Sequence, residues 1–205
     1  MRVDILRTIL PAPCLLLCLL AWSAPAACEE VKLADLEGRT VEAKFSREQV
    51  VRRAGRTFPV RIEGNWRIAI KPEKQLDVTY KATAHTARGT REAKPISGTV
   101  VLDEPGRTPA GGQRLWTFAD GTLTLVRTYE AGAYRINFSF ADGADGPTCT
   151  VKEAFAREGG KGEIRLESSF GGGQVTIVRA KQVSSNCKVG KAVEPVRAGQ
   201  QTRDR

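Results

Sequence analysis

His85 is the only histidine of the 205-residue chain. An imidazole does acid–base or nucleophilic work when a nucleophile or a carboxylate orients it. His85 instead shares with Thr79, Lys81 and Thr83 the wet side of a strand pattern, so it reads as a surface histidine. One histidine, and no cysteine with a second Cys or a His at short spacing, exclude the common zinc patterns. The pairs Asp120-Gly121, Asp142-Gly143 and Asp145-Gly146 lack the alternating oxygens of a calcium loop and read as turns. Gly171-Gly172-Gly173 precedes a strand, not the helix that a phosphate loop must open. Asn137-Phe138-Ser139 fits a glycosylation sequon but lies inside a strand pattern and is read as coincidence. Carboxylate pairs for acid–base work are expected by chance in a chain with 23 Asp and Glu. The expectation is a protein without catalytic constellation, metal or cofactor.

The chemistry that does stand out is cationic. The formal charge is +9, and it is unevenly spread. Residues 39–95 hold 14 Lys or Arg against 6 Asp or Glu, whereas 96–187 hold 10 against 10. Arginine leads the basic half: Arg47, Arg52, Arg53, Arg56, Arg61 and Arg67. Its planar guanidinium favours bidentate contacts with phosphate or carboxylate. These six are the candidate anion-binding residues, the alternative being a solvated positive face without specific purpose.

The first residues decide the compartment. Arg2 and Arg7 precede an apolar stretch from Leu15 to Trp22, and Ser23-Ala24-Pro25-Ala26-Ala27 supplies small residues for cleavage, so 1–27 reads as a secretory signal. Pro11 and Pro13 interrupt the run, and no later segment is apolar enough to span a membrane, so the mature chain is expected to have no transmembrane span. Cleavage leaves Cys28, Cys149 and Cys187 in a compartment that permits disulfides. Cys149 and Cys187 are the expected pair because both fall in predicted strands, and Cys28 is the odd one. Cys28 follows Ala26-Ala27 as a lipoprotein acceptor would, but Pro25 stands where such signals place Leu or Val, so anchoring is the minor alternative to a free periplasmic or secreted protein.

The elements that must position these residues are strands. Tyr134, Ile136, Phe138 and Phe140 alternate with Arg135, Asn137 and Ser139, and Leu76, Val78, Tyr80, Ala82 and Ala84 alternate with polar neighbours. One buried and one wet face mark antiparallel sheets. Asp120-Gly121 between Leu115–Phe118 and Leu123–Val126 suits a type I′ hairpin. A meander of about six strands is expected from Leu115 to Cys187. In the first half strands are expected over 40–45, 58–70, 76–86 and 96–102, with 88–95 and 103–112 as loops and no amphipathic helix. The predicted fold is all-β: about ten antiparallel strands closing as a single barrel or a two-sheet sandwich over 28–188, with a disordered basic tail over 189–205.

Gly64-Asn65-Trp66 resembles the Gly-x-Trp that lipocalin-like and avidin-like barrels carry on an early strand, where the tryptophan closes one barrel end. That resemblance implies a ligand pocket behind Trp66; the alternative is a core tryptophan after a glycine bulge. Leu33-Ala34-Asp35-Leu36-Glu37-Gly38, the Leu123–Gly132 hairpin and Gln182-Val183-Ser184-Ser185-Asn186-Cys187 resemble a group of small exported bacterial β proteins with no assigned activity. This implies an exported β fold and a pairing role for Cys187.

Three functional expectations follow, in order. The first is a non-catalytic binding or structural module of the cell envelope, meeting an anionic envelope polymer or an acidic protein surface through its arginines. Nucleic acid is not the expected partner of an exported chain. The second is a carrier of a small apolar ligand in a barrel behind Trp66. The third is an enzyme inhibitor or enzyme. Oligomeric state is left open.

Overall fold

The computed structural model describes residues 30–108, 112–129, 132–156, 164–168, 170 and 173–191. The expected signal, Cys28, the connections at 157–163 and 171–172 and the tail beyond 191 lie outside the described residues.

Among the described residues, twelve antiparallel strands form two sheets. The first is ordered β11 (Ile164–Glu167), β12 (Gln174–Gly190), β1 (Thr40–Arg53), β2 (Arg56–Ile70), β3 (Gln75–Thr86) and β4 (Gly89–Glu92), with β5 (Ile96–Val101) also pairing with β3. The second is ordered β10 (Thr148–Ala156), β9 (Gly132–Ala141), β8 (Thr122–Tyr129), β7 (Gln113–Ala119) and β6 (Gly106–Arg107). No backbone ladder joins the two among the described residues, so the architecture is the sandwich and not the closed barrel.

Several elements differ from expectation. β1 runs eight residues beyond Phe45 and turns back into β2 through Ala54-Gly55, whose positive φ values (48° and 75°) are those of a type I′ hairpin. The expected loops at 88–95 and 103–112 contain the short strands β4 and β6. The meander ends at β10; β11 and β12 cross to the first sheet, where β12 pairs with β1 from Thr40↔Gly190 to Arg52↔Thr176. The strand therefore takes in Val189 and Gly190, two residues assigned to the tail by their composition. One helical turn, α1 (Leu33–Leu36), is present, and it buries Leu36 completely. The Asp120-Gly121 hairpin forms with Ala119 opposite Thr122 and both turn residues at positive φ.

The inward faces meet in one core. Leu36, Ile68, Ile70 and Leu76 fill one end, with Leu123, Leu125, Ile136 and Phe138 facing them from the second sheet. Trp66 lies in the middle, 1% exposed, its ring 4.3 Å from that of Tyr80 and edge-on to Trp116 at 5.9 Å. No bulge accompanies Gly64: it pairs in register with Phe45 on β1, whose ring lies over it. The sheets are held at the β10–β12 seam by the Cys149–Cys187 disulfide, Cα–Cα 5.4 Å.

Candidate functional site

Beyond Trp66 the described residues leave space between the sheets. There the inward positions of β3 are Ala82 and Ala84, too short to reach the opposite sheet, and a cavity of about 940 Å³ opens toward the β1–β2 hairpin. Its walls are apolar: Val51, Phe58, Val60 and Ile62 on one side, Val175 and Ile177 on another. Six arginines line it, Arg47, Arg53, Arg56, Arg88, Arg91 and Arg127, and among the described lining residues there is no Asp or Glu.

The arginines fall into two tiers. Arg53 and Arg56 end the hairpin strands, Arg88 lies in the turn after β3 and Arg91 in β4; all four are exposed and rim the mouth. Arg47 and Arg127 come from opposite sheets, deep in the cavity beside Trp66 and Tyr80.

Arg127 shares its parity along β8 with Leu123 and Leu125, so the pleat aims it inward. Its guanidinium lies 5.4 Å from the Trp66 ring centre, 5.9 Å from Tyr80 and 6.0 Å from Tyr134, a cation–π arrangement worth about 0.5–2 kcal/mol. Among the described residues, its Nε and the indole Nε1 of Trp66 are buried donors without a hydrogen-bond partner. Leaving a buried donor unmet costs about 1–3 kcal/mol.

Arg47 is answered instead. Its Nη1 donates to Glu153 Oε1 at 3.0 Å and its Nε to Gln49 Oε1 at 3.3 Å, while its guanidinium stacks near Phe45, Tyr134 and Phe155. The Tyr134 hydroxyl donates to the same Glu153 oxygen. Burial alone would lower the Arg47 pKa, but attraction to Glu153, aided by Tyr80 and Tyr134, more than offsets it and holds the cation charged. Burial raises the pKa of Glu153, with Arg47, the Tyr134 hydroxyl and, least of the three, Arg127 opposing. Burial also raises the pKa values of Tyr80 and Tyr134, so both phenols stay protonated. The floor thus carries two cations against one carboxylate.

Of the six arginines expected to bind an anion, Arg47, Arg53 and Arg56 line this cavity together. Arg52, Arg61 and Arg67 do not: Arg52 is exposed outside the lining, Arg61 pairs with Glu63 at 3.3 Å, and Arg67 with Glu42 at 3.8 Å. Strand alternation divides a run that composition alone groups as one face. Trp66 lines the cavity floor. His85 lies away from it, with Nδ1 3.2 Å from Thr90 Oγ1 and Nε2 3.6 Å from Glu63. Among the described residues no group of three His, Cys, Asp or Glu is placed to hold a metal, and no helix is long and apolar enough to cross a membrane.

Arg127, Tyr80, Tyr134 and Glu153 were not singled out from sequence. Their signal is a charged or phenolic residue at an inward position of a period-two run: Arg127 after Leu123 and Leu125, Glu153 between Val151 and Phe155. Comparison of the chain with protein-family models, with curated proteins and with solved structures finds no match.

Proposed function

We propose that this protein is an exported, non-catalytic carrier that holds one small amphipathic molecule, apolar over most of its length and acidic at one end, between its sheets. The observation that carries this reading is the cavity itself: apolar walls, six arginines and no acidic lining residue among those described. Its volume of about 940 Å³ suits a lipid-sized ligand. The reading joins two expectations, since three of the six arginines that suggested an anionic partner, Arg47, Arg53 and Arg56, line the same cavity as the tryptophan that suggested a pocket.

Native mass spectrometry of the protein purified from its producing cells tests it. The expected spectrum shows a single adduct of lipid-like mass that leaves on denaturation. A second reading, an anionic polymer laid across the mouth, is favoured by the exposed Arg53, Arg56, Arg88 and Arg91. A bare mass together with salt-sensitive polymer binding would replace the carrier with that reading.

A further inference from the structure

Resting on the carrier reading, we infer the ligand's head group and its orientation: a long-chain monocarboxylate enters head first, its carboxylate seated against Arg127 and Trp66 at the floor and its tail running back toward the mouth. Three observations lead there. The first is charge. Glu153 Oε1 accepts from Arg47 and the Tyr134 hydroxyl while its Oε2 is buried without a partner, and Glu153 reaches Arg127 only as a minor electrostatic attraction, so among the described residues Arg127 has no carboxylate hydrogen-bonded to it. A partly buried cation without a partner is where an anion gains most, because neither charge is well solvated and the pair is poorly screened. The four mouth arginines are exposed, and ion pairs there are worth little. A singly charged head balances the floor, whereas a doubly charged one would leave it net negative in a site of low dielectric.

The second is hydrogen bonding. Arg127 Nε and Trp66 Nε1 are both buried and both unmet, and both can only donate. An acceptor-only group such as a carboxylate answers them, with the guanidinium fork offering it paired contacts. An alcohol would meet them less well, and an ammonium not at all. The third is length. Along β2 the inward positions from Trp66 to Phe58 span eight residues, about 26 Å at the usual strand rise. Phe58, Val60 and Ile62 line that path, so the tail is a long acyl chain.

The test titrates the intact protein, stripped of bound ligand on a hydrophobic resin, with hexadecanoic acid and with the chain-matched primary alcohol, alkylammonium and alkyl phosphate. The expected result is one acid per chain, bound about 10- to 100-fold more tightly than the alcohol, as befits hydrogen bonds to a charged group, and more tightly than the phosphate. Arg127→Met is expected to bring the acid down to the alcohol's affinity, while the ratio survives in an Arg53→Gln/Arg56→Gln variant. Equal affinities for acid and alcohol in the unaltered protein overturn the inference, as does a preference lost at the mouth and kept at Arg127. Tighter phosphate binding overturns the head-group class. If none of the four binds, the carrier reading itself falls. Should Arg127→Met fail to fold, the ligand series and the mouth variant still decide.

Discussion

Arg47 and Arg127 reach the cavity floor from opposite sheets, and Glu153 is hydrogen-bonded to the first alone. Because burial raises the Glu153 pKa, the folded protein holds that proton more tightly than the unfolded chain does. Stability is therefore full below the ordinary carboxyl range and declines as pH rises from it through the raised value. Glu153→Gln keeps an oxygen to accept from Arg47 and Tyr134 but cannot ionise. It is expected to match the unaltered protein near pH 4 and to become the more stable of the two toward neutrality, as read by urea unfolding across pH. The same change leaves two cations unanswered at the floor, so carboxylate binding tightens. Loss of stability at neutral pH would mean that the ion pair outweighs its burial. At this scale little was legible in the sequence: Arg47, Arg53 and Arg56 were found by composition, but composition grouped them with Arg52, Arg61 and Arg67, which alternation sends to the other face.

β2 and its neighbours show why the cavity lies where it does. A side chain on Gly64 would place its Cβ 2.2 Å from Cζ of Phe45, whose ring stacks parallel to Tyr80 at 6.3 Å. Gly64→Ala is therefore expected to cost about 1–3 kcal/mol through overpacking, and to shift Tyr80 at the floor. Denaturant unfolding reads the first effect and ligand affinity the second. Strands with apolar inward positions were legible throughout, as in β9 and β3. The stretch from Ser46 to Arg53 was not, because its inward positions include Arg47, Gln49 and Arg53 and so break the apolar alternation that announces a strand. The element that departs from the pattern is among those that line the site, as local inconsistency at functional positions leads one to expect.

Across the whole molecule, the two sheets part at one end and are tied at the β10–β12 seam. The Cys149–Cys187 disulfide is one tie. The Gln182 side chain is another: it accepts from the Glu153 N–H at 2.7 Å and donates to Val151 O at 3.1 Å, standing in for the strand pairing that β10 lacks on that side. The disulfide spans 38 residues, and removing it by a Cys149→Ser/Cys187→Ser change is expected to cost about 4 kcal/mol through the loop entropy restored to the unfolded chain. A loss under about 1 kcal/mol would show that Gln182 and the core hold the seam without it. That the fold is an antiparallel all-β one was legible from period two. The choice of sandwich over barrel was not, because it depends on where β12 goes, and a long strand with polar stretches carries no address for its partner.

Trp66 lines the floor of the cavity and meets Trp116 edge-on behind it, so tryptophan emission reports on what enters. The most direct measurement of the central claim is a titration of the ligand-stripped protein with a long-chain carboxylate, following tryptophan emission. A saturable change at one ligand per chain is predicted, weakened in Arg127→Met. Emission unaltered up to the solubility limit of the ligand, in protein shown to be folded, would contradict it.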